Sequence, residues 1–207
     1  SMTFGDPVKF DFARRVAAAV GYVALCGFDR VSVLPFPEHA EDLAARRGLR
    51  TVRGRRSALA FFEHLEALTA GGPGDFNAAL RRGALEARQA GVAVVLSDFL
   101  DPAGYEAGLN ALVGRGFQVH AVQILAPEEL TPTAYGDLRL VDAETGAQQE
   151  VTFARYRLAV YQQTVRNYVQ RLREFCAGRG VHFVLASSAD SLDALLLKQL
   201  RAAALWS

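Results

Sequence analysis

Long apolar runs are missing from this chain: nowhere does it approach the ~18 consecutive apolar residues that a membrane-crossing helix needs. No charged start, apolar middle and small-residue cleavage site marks a secretory leader, so the expectation is a soluble, cytoplasmic protein. Cysteine is nearly absent as well. Cys26 and Cys176 stand alone in apolar helical surroundings, without CxxC or framework spacing, and read as buried thiols of a reducing compartment. Nor is there an excess of one charge. The 23 basic residues against 22 acidic ones leave a net charge of +1, too little for a broad field that gathers nucleic acid or acidic lipid.

Catalytic signatures are missing too. There is no GxSxG, no HExxH, no GxxxxGK[ST] and no paired-carboxylate motif of recognisable spacing. His39, His64, His120 and His182 are scattered, with no partner three or four residues away. His120 and His182 fall inside apolar strands and read as satisfied core or rim residues. What is present is an ordinary globular composition, 51% hydrophobic and 22% charged over 207 residues, enough for one good core and short for two.

Period counting gives alternating helix and strand. Phe12, Val16, Val20 and Val23 recur at helical spacing, so residues 11–25 form a first amphipathic helix. Residues 31–34 read as a strand stopped by Pro35 and Pro37, and 49–52 as a short edge strand among arginines. Ser57 is placed to cap a helix that turns Phe61, Leu65 and Leu68 inward. After the tight loop Gly71-Gly72-Pro73-Gly74, Asp75 caps a helix carrying Phe76, Leu80 and Ala84 on one face. The unbroken apolar run 92–96 fits a strand covered on both faces, as parallel sheets require. Asp101-Pro102 reads as a helix start, cap followed by proline, for a helix ending near Arg115; 117–125 is another buried strand. Residues 136–141 and 149–153 read as an inserted β-hairpin. Leu158, Tyr161, Val165, Tyr168, Leu172 and Phe175 form a helical stripe, read as core packing in preference to a partner coiled coil. Strand 181–186 and helix 191–205 close the series.

This alternation predicts a doubly wound, mainly parallel α/β sheet with helices on both faces. Ligands of such sheets sit beyond the carboxyl ends of the strands. There Asp98 follows five apolar residues. It reads equally as a metal or water ligand at the sheet mouth and as a cap or turn residue before Phe99. The loop at 72–74 has the glycines to cradle an anion. The arginine cluster 46–56 (Arg46, Arg47, Arg50, Arg53, Arg55 and Arg56) reads first as a solvated edge and second as a nucleic-acid site.

Several stretches resemble a bacterial family catalogued as domain of unknown function fifty-eight. They are Lys9-Phe10-Asp11-Phe12-Ala13-Arg14-Arg15, Asp29-Arg30-Val31-Ser32-Val33, Gly54-Arg55-Arg56, Leu96-Ser97-Asp98-Phe99-Leu100-Asp101 and Gly136-Asp137-Leu138-Arg139-Leu140-Val141-Asp142. The resemblance implies a von Willebrand factor A-like fold and an accessory role beside MoxR-type AAA+ ATPases in protein maturation or complex assembly. It also implies a Mg2+ site of the metal ion-dependent adhesion kind, with oxygen ligands and an open position for a partner's carboxylate. Ser1 resembles the second serine of that fold's D-x-S-x-S motif and Asp98 its last aspartate, so Ser1 and Asp98 are the implied metal ligands. Gly74 stands where the fold carries a threonine, which makes the site degenerate. The aspartate, the first serine and their strand would lie upstream of residue 1.

The expectation is therefore one von Willebrand A-like domain over 1–207, N-terminally truncated and lacking its first central strand. It acts as a non-catalytic adaptor that binds a protein partner such as an AAA+ ATPase. Mg2+ is expected of the full-length protein more than of this chain. The alternatives are a metal-dependent hydrolase or phosphotransfer domain using Asp98, and nucleic-acid binding through the arginines at 46–56. Without a central strand, the edges of 31–34 and 92–96 are expected to pair with each other, or to be filled by strand exchange in a homodimer.

Overall fold

The computed structural model describes residues 2–36, 51–71, 75–132, 136–141, 148–153 and 155–196. Helix α1 (Lys9–Cys26) leads to a two-stranded antiparallel ribbon, β1 (Arg30–Val31) with β2 (Val52–Arg53), and a 3-10 turn (Arg55–Ser57) into α2 (Ala58–Ala67). Then follow α3 (Phe76–Glu86), β3 (Val92–Ser97), α4 (Glu106–Gly114), β4 (Gln118–Leu125) and the short α5 (Pro127–Leu130). A hairpin of β5 (Gly136–Val141) and β6 (Gln148–Phe153), then α6 (Arg155–Ala177), β7 (His182–Ser187) and α7 (Leu192–Ala194) complete the described chain.

The central sheet is parallel, in the order β3-β4-β7. Strand alternation sends Val94, Leu96, Val122, Ile124, Val184 and Ala186 to one face, against Phe12, Ala13 and Val16 of α1 and Leu195. Ala93, Val95, Val119, Ala121 and Phe183 point to the other, against Phe76 and Leu80 of α3, Leu109 and Leu112 of α4, and Leu172 and Cys176 of α6. The protein is thus a mixed α/β sandwich with helices over both faces of a parallel sheet. The uninterrupted apolar run 92–96 follows from this, because a strand covered twice has little room for polar residues; β4 is buried on both faces too, but carries His120 and Gln123 inside.

A third cluster, Leu25, Ala58, Phe61 and Leu65, joins α1 to α2. There Gly21 is required: a Cβ at that position would lie 2.2 Å from Phe61 Cζ. Across the sheet, Asn77 ties α3 to α4 by accepting from Gly108 N–H (2.7 Å) and donating to the Gly104 carbonyl (2.9 Å).

Several local expectations hold. Asp75 caps α3, accepting from Ala78 N–H at 2.8 Å, and the hairpin pairs Gly136 with Phe153 through Val141 with Gln148. The stripe on α6 packs on the core at its second half, where Leu172 is buried and Tyr168 and Phe175 pack against the same cluster. Nearer its start, Val160 and Tyr161 are exposed. No helix among the described residues is long and apolar enough to cross a membrane.

Others are corrected. The helix expected at Asp101-Pro102 begins at Glu106. Asp101 Oδ1 accepts from Ala103 N–H (2.8 Å) and its carbonyl from Gly104 N–H (2.9 Å), closing a turn with Gly104 at φ +77°, which an α-helix cannot contain. The other Asp101 carboxylate oxygen caps α3 by accepting from Phe76 N–H. Ser57 does stand at the start of α2, but its hydroxyl donates to the Arg53 carbonyl (3.0 Å) instead of accepting from the helix. Strand 31–34 shortens to Arg30–Val31, because Val31 and Val33 pack beside Leu25 and Phe61 while Phe36 crosses to Phe76. It pairs with β2 and does not reach β3, which among the described residues pairs with β4 alone. Cys26 is only partly buried, whereas Cys176 is buried and its thiol is pushed up to about 12 by desolvation. The end of the expected last helix, and the tight loop at 72–74, lie outside the described residues.

The histidines correct the sequence reading most. His120 and His182 are register partners on β4 and β7, stacked at 4.6 Å between ring centroids. His120 has no exposed surface, and its Nδ1 has no hydrogen-bond partner, so it is not a satisfied core residue. Desolvation, then the His182 charge, lowers its pKa to about 4. Between that value and the ordinary ~6.5 the unfolded chain takes up a proton that the native chain refuses. Stability present above pH ~6.5 is therefore lost as pH falls towards 4, by about 3 kcal/mol in all. Urea denaturation at neutral pH and near pH 4.5 should show this loss, and His120→Phe should remove most of the difference.

Candidate functional site

The carboxyl ends of the three parallel strands deliver Asp98, Ala126 and Ser188 to one edge of the sandwich. Asp98 follows β3 directly and continues the alternation of Val94 and Leu96, so its side chain emerges on the α1 face. The next residue turns the chain. Phe99 has φ +58°, a conformation that costs a non-glycine residue about 1–3 kcal/mol, and it is 1% exposed. What holds it is specific. Its ring packs edge-on against Phe76 and Tyr105, its N–H donates to Ser97 Oγ (3.0 Å), and its carbonyl accepts from the Tyr168 hydroxyl of α6. Burial first, then neighbouring acidic and phenolic groups, push the Tyr168 phenol up to about 12, so that it stays a donor. With Phe99 locked into one face, Asp98 is fixed on the other.

Into this position comes Lys9, from the first turn of α1. Its ammonium donates to Asp98 Oδ2 (2.9 Å) and Glu129 Oε1 (2.8 Å), and the residue has no exposed surface. The segment before it folds back, with Lys9 N–H on the Phe4 carbonyl and Phe10 N–H on the Met2 carbonyl. Glu129 is placed by α5: its second oxygen accepts from Ala126 N–H at 2.7 Å, the returning half of a capping box. The second Asp98 oxygen accepts from Leu100 N–H (3.2 Å), and the Asp98 carbonyl from the Gln123 amide (2.9 Å). Burial raises the proton affinity of Asp98, but the Lys9 ammonium above all, then the charge of the chain's amino terminus and the Leu100 N–H, outweigh it, leaving the carboxyl below its ordinary value.

Of the two implied metal ligands, Ser1 lies outside the described residues and Asp98 is where the sequence placed it. It is both buried and the acceptor of a local turn, so the two readings of it meet in one residue. The described donors do not fit a divalent ion. Mg2+ needs near-octahedral oxygens at about 2.0–2.1 Å, whereas the Asp98 charge is already met by an ammonium. Among the described residues no group of three or more His, Cys, Asp or Glu gathers. Lys9, Glu129, Gln123 and Tyr168 were not singled out from the sequence. The signal for Glu129 was its place three residues after Ala126, with Pro127 between. That for Lys9 was the rarity of lysine, which occurs only at positions 9 and 198. Of the arginine cluster, Arg53 donates to the Phe28 carbonyl (2.6 Å) and Arg55 bonds Tyr22, beside the edge strand as expected; Arg46, Arg47 and Arg50 lie outside the described residues.

Around the buried ions the rim carries two apolar side chains, Phe4 and Leu100, 45% and 44% exposed, and a shallow mixed depression beside α5 is lined by Pro127, Glu128, Leu130, Thr131 and Ser187.

A family model described as "Protein of unknown function DUF58" matches residues 1–171. An uncharacterized protein of Mycobacterium tuberculosis, Rv1480, is 30% identical over 152 residues, 72% of this chain and 47% of that protein. The uncharacterized protein MAV169 of Mycobacterium avium is 40% identical over 65 residues, 31% of this chain and 38% of that protein. The chain thus spans about half the length, or less, of these curated relatives. Two solved structures share its fold, each with a TM-score of 0.52. One is an aerotolerance-related membrane protein from Bacteroides fragilis, at 15% identity with 97% of this chain and 94% of that one covered. The other is a conserved hypothetical protein, BatB, from Bacteroides thetaiotaomicron, at 12% identity with 99% and 93% covered.

Removing either partner of the buried pair should be costly. Asp98→Asn leaves a buried ammonium short of one counter-charge and should lower stability by about 3–5 kcal/mol in urea denaturation. Because its carboxyl is depressed, the stability Asp98 contributes is present above the ordinary carboxyl pKa and lost as pH falls through the depressed value. The variant should therefore be less sensitive to acid. Tyr168→Phe, which leaves the Phe99 carbonyl without its donor, should cost about 1–2 kcal/mol.

Proposed function

We propose that this chain, which belongs to the DUF58 family, is a protein-binding adaptor of von Willebrand A-like fold. It engages a MoxR-type AAA+ ATPase at the carboxyl-end face of its sheet and turns over no substrate of its own. The observation that carries this reading is the pairing of Asp98 with Lys9. The polar residue that the sheet delivers to its mouth is neutralised and buried, and a carboxylate so engaged is a poor general base. It stands under an apolar rim of Phe4 and Leu100, and exposed apolar side chains around a rigid centre are what a protein interface uses.

The alternation of strand and helix, the parallel sheet and an aspartate directly after β3 support the von Willebrand A-like assignment. The role in maturation or complex assembly comes from the family resemblance, whose curated members are about twice as long as the stretch this chain matches.

The test is binding of a purified MoxR-type AAA+ ATPase, by calorimetry at constant salt. Leu100→Glu and Phe4→Glu should each weaken it by about tenfold or more, with circular dichroism and Tm unchanged. Saturable hydrolysis of a phosphoester or peptide by the purified chain, abolished in Asp98→Ala, would establish the hydrolase reading in its place. Binding to duplex DNA with a steep salt slope would establish the nucleic-acid one.

A further inference from the structure

The described residues at the sheet mouth do not fit a divalent ion, yet they hold two carboxylates together. Asp98 comes from the end of β3 and Glu129 from α5, and both reach the same nitrogen, at 2.9 and 2.8 Å. Two carboxylates so close to one point repel unless a cation lies between them. In an acidic metal site that cation is the ion itself. Here it is covalently part of the chain.

The choice of side chain is informative. Of the 23 basic residues, Lys9 and Lys198 are the only lysines; every other cation is arginine. An arginine at position 9 would present a planar fork, built for two oxygens of one carboxylate. An ammonium is a compact point charge with three donors, suited to oxygens arriving from different directions. In a chain whose basic residues are arginine at every position but 9 and 198, Lys9 stands where the ion must be small, buried and shared by two elements.

We propose that the Lys9 ammonium is the resident cation of this site: it takes the charge position of a divalent ion between Asp98 and Glu129, so the face is assembled without metal. Where the adaptor reading holds, partner binding at this face is correspondingly independent of divalent ions; that extension rests on the reading above, while the cation assignment stands on the site's geometry.

The experiment is a cation titration of the chain and its variants. The wild type should bind no Mn2+ by electron paramagnetic resonance at millimolar ion, and its Tm should be the same in EDTA and in MgCl2. Lys9→Ala should lower Tm by roughly 10 °C and regain part of that loss with added ethylammonium or Mg2+, neither of which moves the wild type. Lys9→Arg should not restore the wild-type Tm. A wild-type Mn2+ site that disappears in Asp98→Asn would overturn the proposal, as would a folded Lys9→Ala variant that no cation rescues. Should Lys9→Ala fail to fold, the wild-type Mn2+ titration decides alone: a site lost in Asp98→Asn refutes the assignment, and no binding upholds it. Failure of the ATPase to bind would alter neither Tm nor Mn2+ readout, so the two ideas fail separately.

Discussion

A lysine ammonium removed from water costs several kcal/mol unless its charge and its donors are met, and much of the carboxyl-end architecture can be traced to how Lys9 meets that demand. Its two acceptors lie 89 and 120 positions away in the chain, so one buried charge fixes the start of α1, the end of β3 and α5 relative to one another. Such a contact adds little net stability compared with a packed apolar replacement. Its value is positional. A slip of β3 by one residue would send Asp98 to the opposite face and strand the ammonium, and the turn at Phe99 opposes that slip from the other side by placing an aromatic ring among Phe76 and Tyr105. Asp98 and Phe99 are neighbours committed to opposite layers, and the left-handed backbone between them is held by both.

The fold was legible where one physical signal dominated. The unbroken apolar run at 92–96 fits a strand covered on both faces, and 117–125 a second buried strand despite Gln118, His120 and Gln123; both are covered twice. The Asp75 cap was equally direct, as was the helical spacing of Phe12, Val16 and Val20 in α1, although Val23 at the end of that stripe is exposed. Reading failed where a local signal had two outcomes. Asp101-Pro102 is as good a turn as a helix start, and the glycine at 104, with its positive φ, settles it for the turn. Strand 31–34 has strand composition but is not hydrogen-bonded as far as its apolar pattern runs, because Val31, Val33 and Phe36 serve packing in different layers.

The functional residues were less visible, for a topological reason. Asp98 could be found because it breaks an apolar run. Lys9 and Gln123 bond it from α1 and β4, Glu129 shares the Lys9 ammonium from α5 and Tyr168 holds Phe99 from α6, and no local spacing brings those segments together. The same holds for His120 and His182, which have no helical partner in sequence yet stack across the β4–β7 ladder. Local period rules see neighbours along one element. A parallel ladder makes neighbours of residues 62 positions apart, such as His120 and His182.

The two polar sites in this sheet differ in what they permit. At the amino end, His120 is kept neutral by burial, and its protonation is opposed by the stacked His182. At the carboxyl end, Asp98 is kept charged by a cation that cannot diffuse away. A partner that sought to coordinate Asp98 would first have to displace Lys9, at a cost of about 3–5 kcal/mol for breaking a buried pair. Covering one exposed Phe4 or Leu100 instead yields up to about 1.5–3 kcal/mol without disturbing anything beneath. The arithmetic favours recognition by the rim over recognition by the centre. An ion-pair core that sets the position of α1, β3 and α5, and an apolar edge that those elements carry, divide the work of organising the face from the work of binding to it.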